Sequence, residues 1–299
     1  MAEAEIHQDR LLDGLPRRAA TVAAGRVAIR SGTAAMTYGA LDASVDGFAG
    51  ALAGLRDGAV VGVAAAPHPA FPIAYYGAVR AGHVCAVVDP RLAADELRDV
   101  LELAGVELLV ATAEMADPLR RARIELTHRI GVVYLDKPGD HGARTVANLA
   151  KARPGDPGAR RPDPDAVACL RFGDGELVAL THRDLTRGAA RAARTFGFGP
   201  DSTVVNHLPA YDPVHLDAAV SATATQVLCA DPDPAGGLTV AGQVGATHYF
   251  GQPAGLARLA ADPRPTYAPV PTLRTIVAGD SVLDAARIAG ARRHPEVAR

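Results

Sequence analysis

The chain of 299 residues has no tryptophan, three cysteines and only two lysines, Lys137 and Lys151, and 4% of it is aromatic. Each scarcity removes a class of function. Without Trp and with so few aromatic rings, platforms for stacking nucleic-acid bases are not expected. A formal net charge of −2 provides no basic footprint for nucleic acid either. Cys85, Cys169 and Cys229 have no paired spacing for zinc or disulfides, so a reducing, cytoplasmic setting is expected. Cys85 and Cys169 sit in apolar stretches and read as inert core thiols. The amino terminus is acidic rather than basic and then apolar, and no apolar run is long enough for a bilayer, so neither a leader nor a membrane partner is expected.

What is present is ample apolar sequence, 48% of residues, enough for one large or two medium domains. Residues 1–26 read as a polar helix and loop. A hairpin is predicted from Val27–Arg30 and Met36–Tyr38, after which Thr37 caps a helix with Leu41, Val45, Phe48, Leu52 and Leu55 on one stripe. Strands follow at Val60–Ala66, Val84–Val88 and Glu107–Ala111, with helices at Phe71–Ala81 and Asp95–Ala104. Lys151 to Asp165 is rich in Pro, Gly, Arg and Asp, the composition of an exposed connector. Beyond it strands are predicted at Val167–Arg171, Leu177–Leu180, Thr203–His207, Gln226–Cys229, Ala246–Phe250 and Thr272–Ala278. Helices are predicted at Arg183–Phe196, Pro213–Ala222, Leu238–Gln243, Pro253–Ala261 and Ser281–Arg292. Strands alternating with helices imply α/β architecture with mostly parallel sheets. The division expected is residues 1–150, a connector at 151–165, and residues 166–299.

One stretch, Leu170 to Leu185, organises the functional reading. Gly173 and Gly175 mark a tight turn before a strand, and Thr181 can cap the helix that follows. Glycine turns beside a strand and a helix start are common phosphate sites. Here the turn carries Asp174 and Glu176 and no Lys, and two carboxylates repel a polyphosphate.

The segment Val79-Arg80-Ala81-Gly82-His83-Val84-Cys85-Ala86-Val87-Val88-Asp89-Pro90 resembles the "AGxxYVPLDP" stretch of the adenylate-forming superfamily, which includes acyl-CoA synthetases, peptide-synthetase adenylation domains and luciferases. Met36-Thr37-Tyr38-Gly39-Ala40-Leu41 is similar to its "LTYxEL", and Leu180-Thr181-His182-Arg183-Asp184-Leu185 to its "LTHRNL". Tyr211-Asp212-Pro213-Val214-His215-Leu216-Asp217 resembles "FDxSxxE" of the amino-acid-activating branch. Thr247-His248-Tyr249-Phe250 and Leu273-Arg274 to Gly279-Asp280 track "THxxxxP … LRxxxxGGE".

The resemblance implies the family's large N-terminal region, two stacked αβ subdomains, without its C-terminal lid. It implies activation of a carboxylate with ATP and Mg, then transfer to a thiol such as CoA or phosphopantetheine. The family's phosphate loop, "SGTTGxPKG", corresponds to Gly173, Asp174, Gly175 and Glu176 followed by Thr181, with Glu176 about where the Lys belongs. Positive charge and donors are needed there to stabilise a transferring phosphate. No Lys follows Lys151, and the "YGxTE" motif and lid Lys have no counterpart in this sequence. A degenerate, non-adenylating member is therefore expected, one that keeps a site for a small carboxylate or amino acid, or a surface for a carrier protein or synthetase partner. The alternative is an acid–thiol ligase or acyl-transfer enzyme active with a partner chain.

Tyr211, Asp212 and His215 are the substrate-side candidates. By the resemblance Asp212 receives a substrate ammonium; by local chemistry Asp212-Pro213 caps a helix. Gly279, Asp280 and Ser281 are the nucleotide-side turn by the resemblance and a plain strand-to-helix turn by local chemistry. His207, Asp212, His215 and Asp217 together offer metal-ligand chemistry, although their elements point them apart. His182-Arg183-Asp184-Leu185 mimics a kinase catalytic loop, but Ala189 stands where an Asn is required. No metal is expected.

Overall fold

A computed structural model of the chain describes residues 11–136, 143–152, 162–173, 176–229, 231–261, 270–278 and 281–284. The first half folds as α1 (Gly14–Ala23), β1 (Val27–Ser31), β2 (Ala34–Thr37), α2 (Tyr38–Ala51), β3 (Val60–Ala64), α3 (Ala70–Arg80), β4 (Val84–Val88), α4 (Ala94–Leu103), β5 (Val106–Ala111), α5 (Ala116–Glu125), β6 (Gly131–Tyr134) and α6 (Val146–Ala152). The second half continues with β7 (Val167–Gly173), β8 (Glu176–Thr181), α7 (His182–Phe196), β9 (Thr203–His207), α8 (Pro213–Ser221), β10 (Thr225–Leu228), α9 (Pro234–Gln243), β11 (His248–Gly251), α10 (Pro253–Ala261), β12 (Thr275–Ala278) and β13 (Ser281–Asp284).

Two sheets result. One has six strands in the order β6-β5-β3-β4-β7-β8, the other seven in the order β13-β12-β11-β9-β10-β1-β2. Pairing is parallel throughout except at β7/β8, β1/β2 and β12/β13. Antiparallel strands thus occur only at sheet edges, where a hairpin can close without a crossover. Sheet membership does not follow the connector at 151–165: β1 and β2 lie in the sheet of the second half, β7 and β8 in that of the first. Most of the connector, 153–161, lies outside the described residues.

Local chemistry explains most boundaries. Thr37 accepts a hydrogen bond from the Ala40 N–H and opens α2. Thr181 and Asp184 cap α7 reciprocally, each side chain accepting from the other's backbone N–H. Gly197, at φ +72°, ends that helix in the left-handed region. Helix α2 packs on α6 so closely that a Cβ at Gly47 would collide with the Ala150 carbonyl. The helix expected from Ser281 is instead strand β13, with Ser281 paired to Ala278. The open edge of β12 needs backbone partners, and Val282-Leu283 supplies an apolar strand to meet it. Residues 285–292 of that expectation lie outside the described residues. Helices α5 and α6 and strand β6 were not anticipated, and α6 includes Lys151 and Ala152, expected to open the connector.

Every residue of α3 is buried, so its polar groups must be met inside the protein. Arg80, its side chain 2% exposed, faces Asp42 at 2.7 Å, Asp46 at 2.8 Å and Asp13 at 3.6 Å. It also donates to the Asp13 carbonyl at 2.7 Å. The guanidinium therefore ties the end of α3 to the start of α1 and to α2. Replacing Arg80 by Met would strand the carboxylates around it, and we expect a loss of about 3–5 kcal/mol in urea unfolding. A loss under about 1 kcal/mol would show that the cluster is only a surface ion pair in character.

Candidate functional site

The carboxyl ends of strands from both sheets converge on a cavity of about 520 Å³. Ala65 follows β3, Asp89 follows β4, Arg171 lies on β7, Tyr211 and Asp212 sit between β9 and α8, and Gln252 follows β11; all six line it. Ligands of open α/β sheets bind in such crevices outside the strand ends.

Asp212 performs two tasks there. Its Oδ1 accepts from the Val214 N–H at 2.9 Å, capping α8 behind Pro213. The same oxygen accepts from Arg171 Nη2 at 3.2 Å, joining β7 of one sheet to the loop after β9 of the other. Both side chains are about one-third exposed, 33% and 34%. A second pair stands nearby, with Arg91 Nε and Nη2 donating to the two oxygens of Asp89 at 2.9 and 2.6 Å. Hydrogen bonds from Arg91 hold the Asp89 carboxyl below its usual range.

Tyr211 is buried, its backbone N–H donating to the Ala65 carbonyl at 2.6 Å and its hydroxyl to Gln226. His215 does not line the cavity. Its ring packs on Phe250, centroids 4.1 Å apart, and on Phe196 at 5.7 Å. Gly173 and Glu176 form the last pair of the β7/β8 ladder, with only Asp174 and Gly175 between them in sequence. Those two residues lie outside the described set, as do Gly279 and Asp280. Thr181 is spent on capping α7, at the far end of β8 from Glu176.

The geometry separates the other candidates. Among the described residues no group of three His, Cys, Asp or Glu side chains is placed to hold a metal. His207 receives the Tyr249 hydroxyl at 2.7 Å and donates to the Asp231 carbonyl. His182 accepts from the Leu12 N–H at 3.1 Å, and burial pushes its pKa down, which keeps the ring neutral. Cys85 and Cys169 are register partners on β4 and β7. Burial raises both thiols, Cys169 to about 12, so neither is a ready thiolate.

Asp217 lies on α8 in the core, 1% exposed. Tyr76 and Tyr75 of α3 donate to its two oxygens at 2.8 and 3.1 Å. Burial pushes its pKa up to about 7; the two hydroxyls pull the other way without cancelling it. Arg171, Asp89, Arg91 and Gln252 were not singled out by sequence reasoning. The signal available was an arginine inside an otherwise apolar strand, immediately before the glycine turn.

The fold is that of the large N-terminal region of the adenylate-forming enzymes. The model of the AMP-binding enzyme family matches residues 16–297, and the chain belongs to that family. It is 26% identical over 285 residues to a feruloyl-CoA synthase of Amycolatopsis sp, covering 92% of this chain and 55% of the relative. Among solved structures it resembles apo MbtA of Mycobacterium smegmatis, with TM-score 0.77 and 27% identity, over 90% of this chain and 51% of that one. It shares its fold with the anthranilate CoA ligase AuaEII in complex with anthranoyl-AMP, with TM-score 0.79 and 16% identity, over 90% and 54% of the two chains. The chain spans about half the length of the curated relatives it matches. Among the described residues no helix is long and apolar enough to cross a membrane.

The raised Asp217 pKa has a signed consequence. Between the ordinary carboxylate range and about pH 7, the unfolded chain has released this proton and the folded chain has not. Asp217 therefore lowers stability as pH rises through that window. Relative to Asp217→Asn, the wild type is expected to lose about 1.4 kcal/mol per pH unit across it, levelling off near pH 7. Parallel urea midpoints for the two proteins from pH 4 to pH 8 test this; a constant difference would refute it.

Proposed function

We propose that this member of the AMP-binding enzyme family does not adenylate by itself and holds a small carboxylate or amino acid in the cavity at the strand ends. The observation that carries the reading is the ladder between β7 and β8, which remains paired out to Gly173 and Glu176. Only Asp174 and Gly175 separate the paired ends in sequence, and neither carries the hydroxyls of the family's phosphate loop. Glu176 opens β8 with an exposed side chain, so the charge offered beside the turn is negative. Beyond Arg171 the turn side of this hairpin offers a triphosphate with its magnesium no lysine and no hydroxyl, only the carboxylates of Asp174 and Glu176. The residues present do not fit that cofactor.

The cavity is intact by contrast, and it carries two Arg–Asp pairs within an otherwise largely apolar lining. That composition suits an organic acid or amino acid better than a nucleotide. Three buried free thiols accord with a reducing, cytoplasmic setting. A carrier protein or a synthetase is the macromolecular partner that this reading supplies. The alternative is an acid–thiol ligase using ATP, Mg and CoA or phosphopantetheine, active with a partner chain that supplies the lysine absent from the turn.

Calorimetric titration of ATP–Mg and pyrophosphate exchange decide between them. The expected outcome is no saturable heat and no exchange with the chain alone, across a pool of carboxylic and amino acids. Exchange by the chain alone would overturn the proposal, and exchange only with an added chain bearing a lid would establish the alternative. Glu176→Lys is expected to leave both measurements at background, because the charge changes while the ladder still closes at Gly173. Restoration of ATP binding by this one change would show that sign, not loop length, is the obstacle.

A further inference from the structure

Helix α7 carries four arginines, Arg183, Arg187, Arg191 and Arg194, and one acid, Asp184, in a chain whose net charge is −2. At 3.6 residues per turn the four fall within about 80° of one another, opposite the face that buries Leu185 and Ala189. Arg183 is held by both oxygens of Asp165. Asp184 is spent in the helix cap, where its Oδ2 accepts from the Thr181 hydroxyl at 2.7 Å and the Thr181 N–H at 3.1 Å. Arg187 reaches Asp184 only through space. Arg187, Arg191 and Arg194 are exposed and form no ion pair among the described residues. The next acid along the chain, the exposed Asp201, lies beyond the left-handed stop at Gly197. Like charges at i,i+3 and i,i+4 work against the helix that bears them. Arg194 gains from the helix C-terminus, but Arg187 and Arg191 stand too far from it to do so.

We propose that this face of α7 docks an acidic helix of a partner protein, whose carboxylates at i, i+4 and i+7 meet Arg187, Arg191 and Arg194. The three guanidiniums climb about 10 Å of axis at the helical repeat, and a carboxylate series of the same period is their complement. Each planar fork can take a carboxylate through two N–H groups, which fixes register as well as charge. A membrane surface fits less well, because the exposed face of α7 has no large apolar side chain to insert; beside the charges it shows only Ala190 and Thr195. Single-stranded nucleic acid fits less well for want of a ring to stack on. The one aromatic residue of α7, Phe196, is engaged with Phe198, Phe250 and His215. No residue of α7 lines the strand-end cavity, so this docking face is independent of what the cavity holds and of whether the chain adenylates.

Fluorescence anisotropy with the full chain tests this, using two labelled alanine-based peptides that each contain four glutamates. One has them on a single face at i, i+4, i+7 and i+11; in the other the same four are distributed around the helix. At low salt the first is expected to bind at least about fivefold more tightly than the second, and to weaken steeply as salt is added. The triple variant Arg187→Gln, Arg191→Gln, Arg194→Gln is expected to erase that preference. A charge-matched triple at other exposed arginines, Arg120→Gln, Arg121→Gln, Arg129→Gln, is expected to keep it. Circular dichroism establishes that each variant is folded; a misfolded α7 triple leaves the single reversal Arg191→Glu, which is expected to abolish the preference by itself. Equal binding of the two peptides, no binding of either at low salt, or a preference intact in the α7 variants would overturn the proposal. So would a short single-stranded DNA or phosphatidylserine vesicles held more tightly than the one-faced peptide through the same arginines. Self-association of the chain that Arg191→Glu abolishes would make a second copy the occupant and overturn it as well.

Discussion

The structure turns on one helix with no solvent face. Helix α3 is buried over its entire length, and a wholly buried helix must carry its polar groups to partners or lose several kcal/mol for each. It does so in two directions. Tyr75 and Tyr76 reach Asp217 on α8, whose loop begins at the end of β9 in the second sheet. Arg80 reaches Asp13, Asp42 and Asp46 on the side of α1 and α2. In a chain so poor in aromatics, the tyrosines are concentrated here: Tyr38, Tyr75, Tyr76 and Tyr211 are all fully buried. Tyr38 adds a further link, donating to the Ala224 carbonyl at 2.6 Å. The relation between the two layers, and hence the width of the cavity they enclose, depends on these few polar contacts inside an otherwise apolar core.

Much of this was legible in the sequence, and the failures are physical ones. Strand β4 begins and ends at the predicted residues because Gly82-His83 and Asp89-Pro90 punctuate a purely apolar run. Helix α7 was readable from Thr181 because a capping box is a local device. By contrast, α9 begins at Pro234, four residues before the predicted start, because Gly236 and Gly237 argue against a helix locally. Tertiary packing requires them: a Cβ at Gly237 would lie 2.5 Å from the Tyr249 hydroxyl. The same limit hid α5, whose only buried residues are Leu119 and Ala122, too narrow a stripe to stand out.

The site divides along the same line. Tyr211 and Asp212 could be named from their local motif, and both line the cavity. His215 shared the motif but lies three residues into α8 from Asp212, and the turn of the helix delivers it to Phe196 and Phe250 instead. Arg171 was invisible for the opposite reason. Its significance is a pairing across 41 residues and two sheets, and no local periodicity encodes a contact of that kind.

The cavity and the phosphate hairpin are therefore separable pieces of the fold. Cavity walls come from strand ends whose positions are set by the parallel ladders and by α3, so they persist whatever happens in a surface turn. A phosphate grip consists of turn residues alone, and shortening a turn between two paired strands lengthens the ladder at little energetic cost. The ladder of this chain closes at Gly173 and Glu176, with two residues between them in sequence. Strand β7 runs through Arg171, whose side chain lines the cavity beside Asp212. In this chain β7 runs through Arg171 to a ladder that closes at Gly173 and Glu176, and the same strand presents a guanidinium to the cavity.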